Sequence, residues 1–260
     1  MDFTIFKNSI SSLYSPAEAR ILWQAYRDTE SIITPEDYIT ELLTGKPFQQ
    51  ILGWADFFGE RFKVNEHVLI PRPETEELLE LAMGQITKKI SVGRAFRVLE
   101  VGTGSGVISV VLKKHFPQAS ITAVDIDAEA LRIAASNAEL HGQKIKFQKQ
   151  DYLNWIPQEK FDVLISNPPY IGQDEAIFIE KNVSSFEPHH ALFSPVQDPL
   201  IFYRKMARDC HSILNSGGLV FLEINQRLGR ETLELFSTNF FATLVKDLSG
   251  NDRFISAELK

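Results

Sequence analysis

The chain has 260 residues, 44% of them hydrophobic and 23% charged, without a low-complexity tract. That composition leaves room for one large or two unequal globular domains and excludes a disordered or fibrous chain. A net charge of -7 disfavours phosphate-backbone binding, and the single cysteine, Cys210, rules out an internal disulfide or a thiolate metal cluster. No apolar run approaches the roughly 18 residues of a membrane span, and Met1 to Ile10 carries Asp2 and Lys7 without an apolar signal core. A cytoplasmic protein with no metal and no membrane attachment is expected.

In chain order, two helix starts come first. Ser15-Pro16-Ala17-Glu18 and Thr34-Pro35-Glu36-Asp37 each place an N-cap before proline at the first helical position. Glu18 stands three after Ser15, where its carboxylate can return to the cap amide. Leu22 with Tyr26, and Ile39 with Leu42 and Leu43, recur at helical spacing up to Gly45, so a small helical bundle is expected. Between Trp54 and Ile70 the pattern turns aromatic and β-branched, broken at Asn65-Glu66, which predicts a linking hairpin with Phe57 and Phe58 in its core. A helix over Glu74 to Ile90 follows, and Pro-Arg-Pro before it reads as a helix start at least as well as a pocket mouth lined by Arg72 and Glu74.

From Arg97, apolar strands at 97–101, 120–125, 144–149, 161–166 and 219–224 alternate with helices near 105–115, 128–141 and 198–215. That alternation predicts an α/β fold, a mostly parallel sheet covered by helices on both faces. A helix near 227–237 and short runs at 243–247 and 253–257 are expected to close it with an antiparallel hairpin. Three domains follow: helical 1–53, a linking hairpin 54–73, and the sheet domain 74–260.

The first parallel strand runs into Gly102-Thr103-Gly104-Ser105-Gly106 and then an apolar helix. Glycines there allow a tight strand-to-helix turn with a ligand lying against bare backbone at a helix start. The third glycine falls one residue earlier than in the dinucleotide pattern, and Glu100 puts a carboxylate before the loop. A negative group suits a cationic nucleoside such as S-adenosylmethionine better than a pyrophosphate. Asp125 ends the next strand about 20 residues on, where a carboxylate reaches a ribose, with Ile126 beside it and Asp127 better placed as a helix cap. Asp151 and Tyr152 end the third strand and could bound an adenine, although Asp after a strand is also ordinary turn chemistry. Three acidic strand ends in series favour a nucleoside pocket at the carboxyl edge.

The fourth strand delivers Asn167-Pro168-Pro169-Tyr170. Two prolines remove both amide donors, so the segment presents acceptors: the Asn167 side-chain oxygen and the Pro168 carbonyl. Two rigid acceptors on the N–H bonds of a planar NH₂ group would aim its nitrogen at a methyl donor and stabilise the positive charge that develops. Tyr170 could cover the flat face of the amide or base. His189 and His190 have no carboxylate or cysteine at ligand spacing, so no metal site is expected, and Cys210 reads as core on an amphipathic helix.

With these residues in view, the chain resembles the HemK-type protein-(glutamine N5) methyltransferases that modify peptide chain release factors. The likeness runs from about Gly45 to the C-terminus and includes Ile70-Pro71-Arg72-Pro73-Glu74-Thr75-Glu76, Phe186-Glu187-Pro188 with Ala191-Leu192, and Asp252-Arg253. It implies a class I S-adenosylmethionine-dependent methyltransferase, Rossmann-like with a seven-stranded sheet, acting on the glutamine of a release factor's Gly-Gly-Gln loop, with the helical domain docking that protein as a monomer. It also implies that Gly102 to Gly106, Asp125, the Tyr152 position and Asn167 face the cofactor, beside Glu100, Ile126 and Asp151, which the strand ends themselves suggest for the same pocket. Asn167, Pro168, Pro169 and Tyr170 would hold the glutamine, the first two as the catalytic acceptors. The segment before Gly45 carries no motif matching the family. One rival is a nucleic-acid methyltransferase acting on adenine N6, yet residues 1–75 hold 11 acidic and 7 basic side chains, a net of -4. The other is a nucleotide-binding module without catalysis, against which a complete acceptor set argues.

Overall fold

Side-chain caps set the N-terminal helices in this computed structural model, which describes residues 1–29, 33–172, 174–175 and 185–260. Asp2 accepts from the amides of Thr4 and Ile5 and opens α1 (Phe3–Ser9), which the sequence reading did not foresee. The Ser15–Glu18 capping box starts α2 (Pro16–Arg27), and Thr34 accepts from the Asp37 amide to start α3 (Pro35–Leu43). The short α4 (Phe48–Leu52) completes the group. These helices close on their own apolar centre, where Phe6, Leu22, Tyr38 and Leu42 are buried and the Tyr38 hydroxyl donates to the Leu22 carbonyl at 3.1 Å.

The hairpin is present, but its turn lies earlier than expected. Strands β1 (Trp54–Phe57) and β2 (Glu60–Lys63) pair antiparallel around Phe58-Gly59, not at Asn65-Glu66. Both turn residues have positive φ, 53° and 73°, which Gly59 adopts freely and Phe58 only at a cost, so a single glycine was the one turn signal there. The strained amide is held from outside: the Phe58 N–H donates to Glu76 Oε1 at 2.6 Å. Asn65 instead accepts from the His67 amide in the loop that follows. Phe57 is buried and Phe58 packs beside it.

The main sheet has seven strands among the described residues: β3 (Phe96–Val101), β4 (Ala119–Asp125), β5 (Lys146–Lys149), β6 (Phe161–Ser166), β7 (Leu214–Glu223), β8 (Phe240–Lys246) and β9 (Asp252–Leu259). Their order is β5-β4-β3-β6-β7-β9-β8. The first five run parallel, and β9 lies antiparallel between β7 and β8. β7 begins five residues before the predicted run because Leu214, next to the end of the preceding helix, already pairs with Phe161.

Alternation along the strands feeds two cores. Val98, Leu219 and Phe221 face one side, under α5 (Pro73–Lys89) and α6 (Val107–His115), and α7 (Ala128–Leu140) packs beside α6. Leu99, Val101, Val220 and Leu222 face the other, under α9 (Ile201–Ile213) and α10 (Gly229–Ser237). Cys210 is buried in that second core. A short α8 (His189–Leu192) lies beside residue 171, where the Ile171 amide donates to the Leu192 carbonyl at 3.1 Å. Because β3 is flanked by β4 on one side and β6 on the other, connections leave it in opposite directions and open a crevice at the carboxyl edge. No helix among the described residues is long and apolar enough to cross a membrane.

Candidate active site

That crevice is a cavity of about 620 Å³, within the range that takes a small-molecule ligand. Gly102, Thr103, Gly104, Ser105, Asp125, Ile126, Asp151, Tyr152, Asn167, Pro168 and Pro169 all line it, so four separate strand ends converge on one space. Glu100, Gly106 and Tyr170 do not, and of the two pocket-mouth candidates Arg72 lines it and Glu74 does not.

The loop explains two of these. Gly102 and Gly104 have φ of 72° and 52° and present bare backbone to the cavity, while the amides of Gly102 and Thr103 bond to the Val124 carbonyl on the next strand. Gly106 has φ 80°, but a Cβ there would stand 2.9 Å from the Ala134 Cβ on α7. The third glycine is therefore required by close helix packing, and it does not line the cavity. Glu100 lies beneath the loop, fully buried, with Oε2 accepting from Thr103 Oγ1 at 2.9 Å and from the Ser109 hydroxyl. Its Oε1 has no hydrogen-bond partner. Burial pushes this carboxyl up to about 7, against the pull of those two hydroxyls, and the Asp125 charge pushes the same way.

Asp125 carries the next strand end. Its Oδ2 accepts from the Gly104 amide at 2.9 Å and its Oδ1 from the Asp127 amide at 3.0 Å, so the loop and the strand tip are pinned to each other. Burial still raises its carboxyl above the ordinary range. Each oxygen keeps a lone pair for a further donor. Asp127 caps α7 through the Glu129 amide, as expected of it. Asp151 accepts from the Leu153 amide and from Asn154, which is turn chemistry at the rim of the same cavity, and the buried Tyr152 hydroxyl has no partner. These residues fit a cationic nucleoside. Glycine backbone, a carboxylate with free lone pairs, an aromatic wall and an unpaired buried acceptor behind the loop are what the ribose, base and positive charge of S-adenosylmethionine require.

On the other side of the cavity, β6 ends at Ser166, whose hydroxyl bonds the Val101 carbonyl across the sheet at 2.7 Å. Asn167 follows, and its Nδ2 donates to Thr75 Oγ1 at 3.1 Å. The Thr75 hydroxyl donates to Glu223 Oε2 at 2.7 Å, and Glu223 Oε1 accepts from the Tyr170 hydroxyl at 3.2 Å. Tyr170 thus points back into the protein and packs against the second core, because its hydroxyl has a buried carboxylate to bond. Covering the flat face of a substrate is not its position here.

Sequence reasoning missed Thr75, Glu223 and the function of Glu187. Thr75 lay inside the quoted Pro-Glu-Thr-Glu stretch, and Glu223 is one more acidic strand end in the series already noted. Glu187 is buried, accepting from the Ile70 amide at 3.0 Å and pairing with Arg72, which lines the cavity. It joins two of the quoted motifs across the site. His67 and His190 stand 3.9 and 3.5 Å from Asp127, a carboxylate that spacing along the chain did not reveal. Among the described residues no group of three or more His, Cys, Asp or Glu could hold a metal ion.

Residues 80–184 match the family described as methyltransferase small domain. The release factor glutamine methyltransferase of Flavobacterium psychrophilum is 42% identical over 236 residues, 90% of this chain and 82% of the relative. That of Bacteroides thetaiotaomicron is 40% identical over 85% of this chain and 79% of the relative. A methyltransferase structure from Pyrococcus furiosus superposes with a TM-score of 0.55 at 18% identity, covering 85% of this chain and 96% of that one, a likeness of fold.

Proposed function

The chain belongs to the release factor glutamine methyltransferases, and from that premise we propose that its carboxyl-edge cavity transfers a methyl group from S-adenosylmethionine to the side-chain amide nitrogen, N5, of the glutamine in a release factor's Gly-Gly-Gln motif. The observation that carries the reading is the Asn167 carboxamide, which lines the cavity beside the glycine loop with its nitrogen already bound to Thr75. Its oxygen is left to accept, and Pro168 supplies a second acceptor with no competing amide donor.

Gly102 and Gly104 would hold the cofactor by backbone contact, Asp125 its ribose, and Tyr152 its base. When bound, the cofactor supplies an electrophilic methyl group. Asn167 Oδ1 and the Pro168 carbonyl would hold the two N–H bonds of the glutamine amide, orient its nitrogen and stabilise the charge that grows on it as the C–N bond forms and the methyl–sulfur bond breaks, with S-adenosylhomocysteine as the leaving group and one amide proton lost from the nitrogen afterwards. Pro169 keeps that carbonyl rigid. No general base is needed before attack, because the two acceptors already polarise the N–H bonds.

Three parts serve this chemistry: helices 1–53 dock the partner protein, the 54–73 hairpin links, and 74–260 carries the reaction. Docking is supported by the separate apolar centre of the helices, which touch the site only indirectly, for example where Gln50 Nε2 donates to the Phe186 carbonyl at 2.9 Å. The enzyme works as a cytoplasmic monomer, and its net charge of -7 disfavours direct nucleic-acid contact. Incubation with tritiated S-adenosylmethionine and purified release factors tests the reading. Label should enter the intact factor, vanish when the Gly-Gly-Gln glutamine is changed, and stay out of DNA. Label in DNA or in the changed factor overturns it.

A further inference from the structure

Glu223 is 2% exposed, does not line the cavity, and yet holds both ends of the Asn167 to Tyr170 segment: one oxygen through Thr75 and the other through the Tyr170 hydroxyl. A carboxamide has an accepting and a donating side of nearly equal size, and sterics alone does not choose which side faces a ligand. Here the choice follows from counting hydrogens. Glu223 meets a hydroxyl at each oxygen, and with Oε2 accepting from Thr75 the single Thr75 hydroxyl hydrogen is spent on Glu223. Thr75 Oγ1 then offers Asn167 lone pairs only, and the Asn167 side chain must turn Nδ2 toward it. Oδ1, on the opposite side of the carboxamide, is the atom left for a substrate N–H.

We propose that Glu223, acting through Thr75, is a positioning residue that fixes Asn167 as a hydrogen-bond acceptor toward the amide being methylated. The inference rests on the functional reading above. Neither residue takes or gives a proton in the reaction. Their work is done in the ground state, and a reversed Asn167 would present N–H bonds to the substrate's N–H bonds.

The test uses the full chain and three variants. Thr75→Val keeps the shape and removes the hydroxyl, Thr75→Ser keeps the hydroxyl, and Glu223→Gln replaces one of the two acceptors with a donor. Methyl transfer to a Gly-Gly-Gln peptide is expected to lose about ten- to a hundredfold in kcat in Thr75→Val, with peptide KM and S-adenosylmethionine Kd within about threefold of the parent. Thr75→Ser should recover turnover to within about threefold, and Glu223→Gln should fall between the two. A second readout needs no turnover: in ¹⁵N spectra the Asn167 side-chain NH₂ signals, assigned by their loss in Asn167→Ala, should show one proton slowed in exchange in the parent and in Thr75→Ser but not in Thr75→Val. Parent-like kcat in Thr75→Val overturns the proposal, as does an equal loss in Val and Ser, which would mark a packing role. If Val fails to give a cooperative thermal transition, the Ser and Gln variants decide alone: parent-like signals and turnover in Glu223→Gln refute it. Failure of the parent enzyme to methylate the peptide would strike the functional reading, while the spectra would still judge the Asn167 orientation.

Discussion

Glu100 and Glu223 make a pair worth setting side by side. Glu223 ends a parallel strand and Glu100 is the residue before the end of another, both face the same layer of helices, and each accepts from a hydroxyl at the third residue of a helix, Ser109 on α6 and Thr75 on α5. Both are buried, and burial pushes each carboxyl up to about 7. The difference is in the second oxygen. In Glu223 it accepts from Tyr170, whereas in Glu100 it has no partner. A saturated carboxylate acts as a fixed strut for its neighbours. An unsaturated one beside a ligand cavity is held toward its neutral form until a cation compensates its charge, which suits the side of the site where a cation would bind. On the proposed reading, the amide side and the cofactor side of the cavity are thus built from the same local motif for different ends.

Substitutions should separate the two sides. The largest effect is expected at the amide side: Asn167→Ala should lower the methyl-transfer rate by about 10² to 10³, roughly 3 to 4 kcal/mol, with much less change in cofactor affinity. Single-turnover rates and calorimetry on the same preparation check it, and near-full turnover would remove Asn167 from the mechanism.

Next comes a pH effect on folding without cofactor. Glu100 has its carboxyl raised to about 7 in the folded chain from an ordinary 4.5, so the folded state binds the proton more tightly. Its stabilisation is complete below about pH 4.5 and is lost as pH rises through 7, roughly 3 kcal/mol in all. In urea titrations, wild type should lose that much relative to Glu100→Gln between pH 4 and pH 8. A difference that stays constant with pH would mean that Glu100 is not a protonated buried acid. Because a cationic ligand favours the ionised form, S-adenosylmethionine affinity should rise over the same interval, and Glu100→Gln should flatten that rise.

Asp125→Ala should weaken S-adenosylmethionine by about ten- to a hundredfold, from lost charge-assisted hydrogen bonds of about 1.5 to 3 kcal/mol each, with turnover at saturating cofactor less affected. Equal affinity would reduce Asp125 to its bonds with the Gly104 and Asp127 amides. Smallest, Gly106→Ala should cost about 2 kcal/mol of stability, from positive φ and contact with Ala134, and leave cofactor affinity of the folded protein unchanged. A large loss of affinity there would return Gly106 to the ligand set.

The alternation of apolar runs with helical stretches, the caps at Ser15 and Thr34, the glycine loop and the Asn-Pro-Pro-Tyr segment were all legible along the chain. Each is a local consequence of side-chain type: period 2 or 3.6 burial, a hydroxyl beside free amides, or prolines without donors. Sequence also placed Gly102, Asp125, Tyr152 and Asn167 at strand ends, and parallel topology carries strand ends to one edge. What it could not decide was direction and partnership. Whether Tyr170 faces a substrate or Glu223, whether Gly106 meets a ligand or Ala134, and whether the hairpin turns at Phe58 or Asn65 depend on groups 18 to 53 residues away. The same holds for Thr75, 148 residues from Glu223, whose single hydroxyl hydrogen links a helix start to a strand end. Spacing within one segment has no record of such pairings, since they form only when packing removes water and leaves each buried polar atom a single available partner.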